Sequence, residues 1–242
     1  MPVYAGKNPH QMKIAVLMWY DDKYKSYGDN CYKINKVYCA KYGYDLIKSS
    51  KKYYKDRSAH WERYPFILKH IKNYDYVVWI DADAFFYNVS PPITDLIEKH
   101  KKEIIFSEDD NKLNPPAINT GVAIFKNTEK VINILQKWCY SNKLKDEYCG
   151  SAKIDGYLCP RINWIEDQAL VRGFYKDDVD DVGSISKILP YLELQHYHIY
   201  ERDALAKFKN LPYIFHFAGR HEARYKESKK YLDLLRELGH NP

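Results

Sequence analysis

The stretch Tyr76–Tyr87, YVVWIDADAFFY, decides how this chain is read. The run Tyr76 to Ile80 is apolar without interruption, as expected of a strand covered on both faces in a parallel sheet. Asp81 and Asp83 follow it directly. Burying an ionised carboxylate without a partner costs several kcal/mol, so packing alone gives no reason to put two of them there. On an extended segment residues i and i+2 point the same way, and open parallel sheets bind ligands beyond the carboxyl ends of their strands. Both carboxylates can therefore face one site. Two like charges held close repel unless a divalent cation or an ammonium neutralises them. A hard cation such as Mn²⁺ or Mg²⁺ takes oxygen ligands and often brings substrate phosphates with it. The small residues Ala82 and Ala84 leave room for such a group, and the aromatics Phe85 to Tyr87 read as the packing that holds the pair in place.

Outward from this strand, the pattern alternates between strand and helix. Lys13–Tyr20 (KIAVLMWY) is a second strand, apolar from Ile14 onward, and Ile34, Val37 and Tyr38 fall at helical spacing in a segment from Asn30 to Lys41 that Gly43 ends. The run YDLIKSS is a short strand. Trp61–Asn73 forms a helix that feeds straight into Tyr76–Ile80. Beyond the aspartates, SPPITDLIEKH starts a helix with Ser90 as its cap. EIIFSED and TGVAIFK are strands, Thr128–Tyr140 is an amphipathic helix, and residues 141–163 read as a long loop. WIEDQALVRGF is a short helix, SKILP, HYHIY and YIFHF are short strands, and Glu222–Leu238 is a final helix. The expected fold is α/β, a doubly wound and mostly parallel sheet flanked by helices. Residues 1–12 read as an extension and 13–242 as a single domain.

Composition narrows the function classes. The chain has 242 residues, 45% of them apolar, which suffices for a sizeable core. The net charge of +6 is spread as interleaved lysines and acids, so no basic stripe for nucleic acid emerges. The 24 tyrosines suit surfaces that hold sugars, nucleotides or protein, and equally the edges of a core. Five cysteines show no metal-knuckle spacing and read as reduced thiols, although Cys149 and Cys159 flank a short loop and could bridge in an oxidising compartment. No apolar run approaches the ~20 residues that span a bilayer, and the start lacks a signal-peptide core. The expected location is soluble and cytoplasmic, or the Golgi lumen if an N-terminal anchor has been removed.

Three further clusters carry polar groups at ends of elements. In YIFHFAGRH, His216 precedes Ala218 and Gly219, where backbone can approach a ligand, and Arg220, His221 and Arg224 follow at a helix start of the kind that holds phosphates. In IEDQALV, Glu166 and Asp167 complement a helix dipole, but the adjacent Asp167–Gln168 pair exceeds that need. In INTGVAIFKN, Asn119, Thr120 and Gly121 present polar groups and bare backbone.

Taken together, these segments resemble glycosyltransferases of the GT-A (Rossmann-like) fold, and most closely the retaining galactosyl-, mannosyl- and xylosyltransferase family of fungi and plants. NKVYCAKYGYDL, WERYPFILKHI, VVWIDADAFFYN, NTGVAIFKN, EDQALV and HFAGRHEARY follow in that family's order, over about Lys13 to Tyr225. The resemblance implies that Asp81 and Asp83 bind a divalent metal, usually Mn²⁺, bridging the diphosphate of a nucleotide-sugar, with UDP the expected nucleotide. It implies His216 as third ligand, Trp19 and Tyr20 near the base or ribose, and Arg63 in the helix that approaches the nucleotide. Asn119, Thr120, Gly121 and Gly219 would line the sugar side, and Asp167 with Gln168 would sit close to the anomeric carbon. Where the family commonly has a Cys-Lys pair after the histidine, this chain has Arg220 and His221, which become the candidate diphosphate cations.

The implied reaction moves a sugar to an acceptor hydroxyl on a glycan or glycoconjugate with retention of configuration. Two alternatives stand beside it: an inverting transferase with Asp167 or Glu166 as base, and a catalytically silent nucleotide- or glycan-binding protein on the same fold.

Overall fold

The computed structural model describes residues 12–55, 57–87, 90–109, 118–140, 167–190, 192–196, 213–217 and 221–242. Tyr76–Ile80 is strand β3, with all five residues buried. It lies inside a six-stranded sheet of order β2-β1-β3-β6-β5-β7, whose other members are β1 (Ile14–Trp19), β2 (Asp45–Ser49), β5 (Ile104–Glu108), β6 (Ile118–Lys126) and β7 (Ser186–Leu189). The pairs β1–β2, β1–β3 and β5–β7 are parallel, while β6 runs antiparallel to both β3 and β5. The sheet is thus mixed, with β6 alone reversed.

Alternation along β3 sorts its side chains to two layers. Val77 and Trp79 join Leu17, Ala123 and Phe125 against helices α2 (Arg63–Ile71), α4 (Glu129–Tyr140) and α5 (Asp167–Lys176), through residues such as Ile67, Leu135 and Val171. Tyr76, Val78 and Ile80 join Val16, Met18 and Ile124 on the other face. There they meet Ile34 and Tyr38 of α1 (Lys25–Tyr42), Leu96 of α3 (Ile93–His100) and Leu232 of the last helix (His221–Glu237). Burial at about 25 cal/mol per Å² of apolar surface on both faces makes β3 the anchor of the domain.

Three details differ from the sequence reading. Helix α1 begins at Lys25, five residues before Asn30, and takes in Gly28, where a Cβ would come within 2.8 Å of the Tyr20 ring. Gly43 ends it in the left-handed conformation at φ 73°, as expected. Ser90 does not cap α3; the cap position is Pro92, and the Ser90 hydroxyl donates instead to the Tyr213 carbonyl at 3.0 Å. The segment after the aspartates is more than packing. Ala84–Phe86 is a strand, β4, in a second sheet of order β4-β9-β8, with β9 at Ile214–His216 and β8 at Gln195–His196. The loop expected over 141–163 and the pair Cys149 and Cys159 lie outside the described residues, while Cys31, Cys39 and Cys139 are buried free thiols.

Candidate active site

Because β6 is reversed, its first residues meet the end of β3. Ile80 pairs with Val122, and the Asp81 amide donates to the Gly121 carbonyl at 2.8 Å. Asn119, Thr120 and Gly121 therefore stand at the same sheet edge as the aspartates. A turn closed by the Ala84 amide on the Asp81 carbonyl (3.1 Å) then sends the chain into β4. Antiparallel pairing of β4 with β9 sets Ala84 opposite His216, and the Phe217 amide donates to the Asp83 carbonyl at 2.9 Å. This short ladder brings a histidine from the far end of the sequence against the acidic pair.

Each aspartate is held by one oxygen and left open at the other. Asp81 Oδ1 accepts from Trp79 Nε1 at 2.8 Å and lies 3.3 Å from Arg63 Nη2. Asp83 Oδ2 lies 2.8 Å from Arg224 Nε. The remaining oxygens face one nitrogen: His216 Nε2 is 3.4 Å from Asp83 Oδ1 and 3.9 Å from Asp81 Oδ2. Ligand atoms of Asp81, Asp83 and His216 all lie within 4.8 Å of one another. A Cβ on Gly121 would stand 2.3 Å from His216 Cε1 and 2.8 Å from Asp81 Oδ2, so only glycine leaves this space open. Two carboxylate oxygens and an imidazole nitrogen around such a space fit a divalent ion of the Mn²⁺ or Mg²⁺ kind.

Electrostatics keep Asp83 ionised. Burial pushes the Asp83 carboxyl up, but His216 and Arg224 outweigh it and hold Asp83 below the usual carboxylate range. Arg63 is buried at 3% exposure, with its Nε 3.3 Å from Asp167 Oδ2 and its Nη1 donating to the Thr120 carbonyl. Burial favours loss of its proton, yet Asp167 and Asp81 more than compensate, and the guanidinium stays charged. Asp167 Oδ2 also accepts from the Tyr64 hydroxyl at 2.8 Å and from Thr120 Oγ1 at 3.1 Å. Burial, and then Asp167, raise the Tyr64 phenol well above its ordinary value, so it remains a donor. Gln168 is oriented from both ends: its Oε1 accepts from the Thr120 amide at 3.4 Å, and its Nε2 donates to Asp109 Oδ2, which Arg172 holds at 2.9 Å.

Trp19, Arg63, Asp81, Asp83, Asn119, Thr120, Gly121, Asp167, Gln168 and His216 all line one cleft of about 300 Å³, a size within reach of small-molecule sites. Tyr20 is not on its lining. Neighbours on a strand point to opposite faces, so with Trp19 turned to the cleft, Tyr20 turns to α1, where its hydroxyl donates to Asp29 at 2.9 Å. Arg63 acts from beneath, as a counter-ion shared by Asp81 and Asp167. Gly219 and Arg220 lie outside the described residues, as does the side chain of His221. The sequence reading missed Tyr24, Tyr27 and His60 on the cleft wall, and Gln195, Tyr64, Asp109 and Arg172 behind it. Tyr27 is legible in principle, at helical spacing from Cys31 and Ile34 on a helix whose start the sequence sets too late; the others carry no periodic signal.

Comparison with known proteins meets this geometry from outside. The model of the galactosyl transferase GMA12/MNN10 family matches residues 10–115, the part that carries β1 to β5 with Asp81 and Asp83. No curated protein sequence matches the chain. Among solved structures, it is similar to a glycosyltransferase involved in the glycosylation of the major capsid of PBCV-1, at TM-score 0.60 and 12% identity, covering 90% of this chain and 99% of that one. It is also similar to the glycosyltransferase GlyE of Streptococcus pneumoniae TIGR4, at TM-score 0.53 and 16% identity, covering 95% and 64% of the two chains. A third likeness is to the galactosyltransferase LgtC, solved with donor and acceptor sugar analogues, at TM-score 0.52 and 13% identity, covering 94% and 97%. These likenesses define the class of fold, GT-A. The family model agrees with that fold over residues 10–115, somewhat less than half of the chain.

Proposed function

We propose that this chain is a glycosyltransferase that takes a hexosyl or pentosyl group from a nucleoside diphosphate sugar, with UDP as the nucleotide, and transfers it to a hydroxyl of a glycan or glycoconjugate in a metal-dependent reaction that retains configuration. The observation that carries the proposal is the convergence of Asp81, Asp83 and His216 on one space beside a polar cleft. Their donor set suits Mn²⁺ or Mg²⁺, and such an ion, when bound, would counter the negative charge that develops on the departing diphosphate.

The protein's own groups supply orientation and charge balance. Three carboxylates, Asp81, Asp83 and Asp167, face two guanidiniums, Arg63 and Arg224, a deficit of one positive charge that a divalent cation would reverse. The reversed site would favour a diphosphate. Trp19, Tyr24 and Tyr27 form an aromatic wall suited to a nucleobase and ribose. The carbonyl dipole of Gln168, its amide fixed by Thr120 and Asp109, is available to the oxocarbenium-like centre as the bond to the diphosphate breaks. In a retaining path the acceptor hydroxyl approaches on the face the diphosphate leaves, and a diphosphate oxygen takes its proton. Asp167 then serves as a buried anchor for Arg63, Tyr64 and Thr120, and its burial against a guanidinium favours this path over an inverting one with Asp167 as base. Glu166, the other candidate base, lies outside the described residues. Among the described residues no helix is long and apolar enough to cross a membrane.

Turnover of a panel of nucleotide-sugars with and without Mn²⁺ tests the proposal, with the product anomer read by NMR. Metal-dependent transfer with retention is expected; transfer that ignores both metal and chelator would refute the metal role, and an inverted anomer the retaining path.

A further inference from the structure

His216 is the ligand that the acidic turn does not itself supply, and its usefulness depends on which ring nitrogen carries hydrogen. Nε2 faces Asp83 Oδ1 and Asp81 Oδ2. Nδ1 lies 3.0 Å from Gln195 Oε1. An amide oxygen only accepts, so Nδ1 carries hydrogen whether the ring is charged or neutral, and a ring that gives up its other proton to a cation offers the Nε2 lone pair toward the aspartates.

The backbone makes this contact specific. β8 and β9 are parallel, and Gln195 pairs with Ile214. His216 is two residues beyond Ile214 and so shares its face, which brings the glutamine side chain to the imidazole. The Leu192 amide donates to the Gln195 carbonyl at 3.2 Å and the Ile214 amide to the Leu194 carbonyl at 3.0 Å, pinning both sides of the contact. Gln195 is fully buried, among Leu194, Ile214 and Phe215. An apolar residue would fill that position without needing a polar partner. A neutral amide also adds no further negative charge behind the imidazole that faces Asp81 and Asp83.

We propose that Gln195 is a positioning residue: it holds His216 in the Nδ1–H tautomer and aims Nε2 at the cation site. The proposal rests on the metal-binding reading above. Outer partners that orient a ligating histidine typically contribute 10- to 100-fold in metal affinity.

The test uses the full chain and Mn²⁺ alone, with free Mn²⁺ quantified by electron paramagnetic resonance for wild type, Gln195→Met and Gln195→Glu. In the metal-free wild type, long-range ¹⁵N–¹H correlation at about pH 8, where an ordinary imidazole is neutral, gives the His216 tautomer. Expected are an Nδ1–H ring, about 10- to 100-fold weaker Mn²⁺ binding in Gln195→Met, and binding within about threefold of wild type in Gln195→Glu, which keeps the acceptor. A purely structural role would not distinguish the two variants in this way. A wild-type ring with hydrogen on Nε2 and none on Nδ1 overturns the proposal even if Gln195→Met does not fold. Equal Mn²⁺ affinity in wild type and Gln195→Met overturns it while leaving the cation site standing, whereas a wild type that binds no Mn²⁺ overturns both.

Discussion

The two halves of the candidate cation site are built in opposite ways. Asp81 and Asp83 come from one continuous strand–turn–strand segment whose strands are buried in the core, and each carboxylate has its own guanidinium partner. His216 comes from a three-residue strand at the other end of the chain, held by pairing to β4 and by Gln195. The first half is fixed by the sheet, the second by a ladder on the acidic segment itself. Cations buried beneath the first half bear on stability, while small displacements in the second bear on ligand geometry.

The largest effect is expected at Asp83. Asp83→Asn should cut metal-dependent transfer by about 10²–10³-fold or more, and it should lower Tm because Arg224 loses its carboxylate. Adding Arg224→Met should recover Tm in thermal unfolding but not turnover; recovery of both would mean that Asp83 matters only for folding. Next comes Arg63→Met, which leaves Asp81 and Asp167 without their shared cation and should cost about 3–5 kcal/mol in denaturant unfolding. A cost under about 1 kcal/mol would contradict the counter-ion role.

On the histidine side, Gly121→Ala sets a methyl within 2.3 Å of His216 Cε1. We expect a stability loss of about 1–3 kcal/mol together with weaker Mn²⁺ binding by titration, in contrast to Arg63→Met, whose first effect is on folding. The smallest effect is expected at Glu193, in the turn before β8, which accepts from Lys99 at 2.7 Å and lies 2.8 Å from His100. Burial raises its carboxyl, but Lys99 and His100 outweigh that and hold it below the ordinary value. A depressed carboxylate stabilises the fold above its unfolded pKa of about 4.3, and the contribution is lost as pH falls through the lower folded value. Glu193→Gln should therefore lose under about 1 kcal/mol near neutrality, and the difference from wild type should vanish in acid, as measured by urea unfolding across pH.

The same contrast governs what the sequence could reveal. β3 was legible because Tyr76–Ile80 has no polar residue, and Asp81 and Asp83 were conspicuous because nothing in folding demands them. His216 could be singled out only beside its neighbours in YIFHFAGRH. Strand direction leaves no trace in periodicity, so the reversal of β6, which brings Asn119 to Gly121 to the site, came from the structure. The resemblance places Arg63 in the helix that approaches the nucleotide, but its counter-ion role is invisible in sequence, because burial of one guanidinium between Asp81 and Asp167 joins residues from three distant segments. Gln195 sits on a two-residue strand, too short for any pattern. Tyr20 was expected beside Trp19 although strand alternation already separates them.

The central claim is that the acidic turn and the remote β9 strand close one cation site. Anomalous diffraction at the manganese edge, from crystals soaked with Mn²⁺ and UDP, tests it most directly. The account predicts one peak within bonding distance of Asp81 or Asp83 carboxylate oxygens and of His216 Nε2; a peak that contacts the aspartates but not His216, or one elsewhere in the cleft, would contradict it.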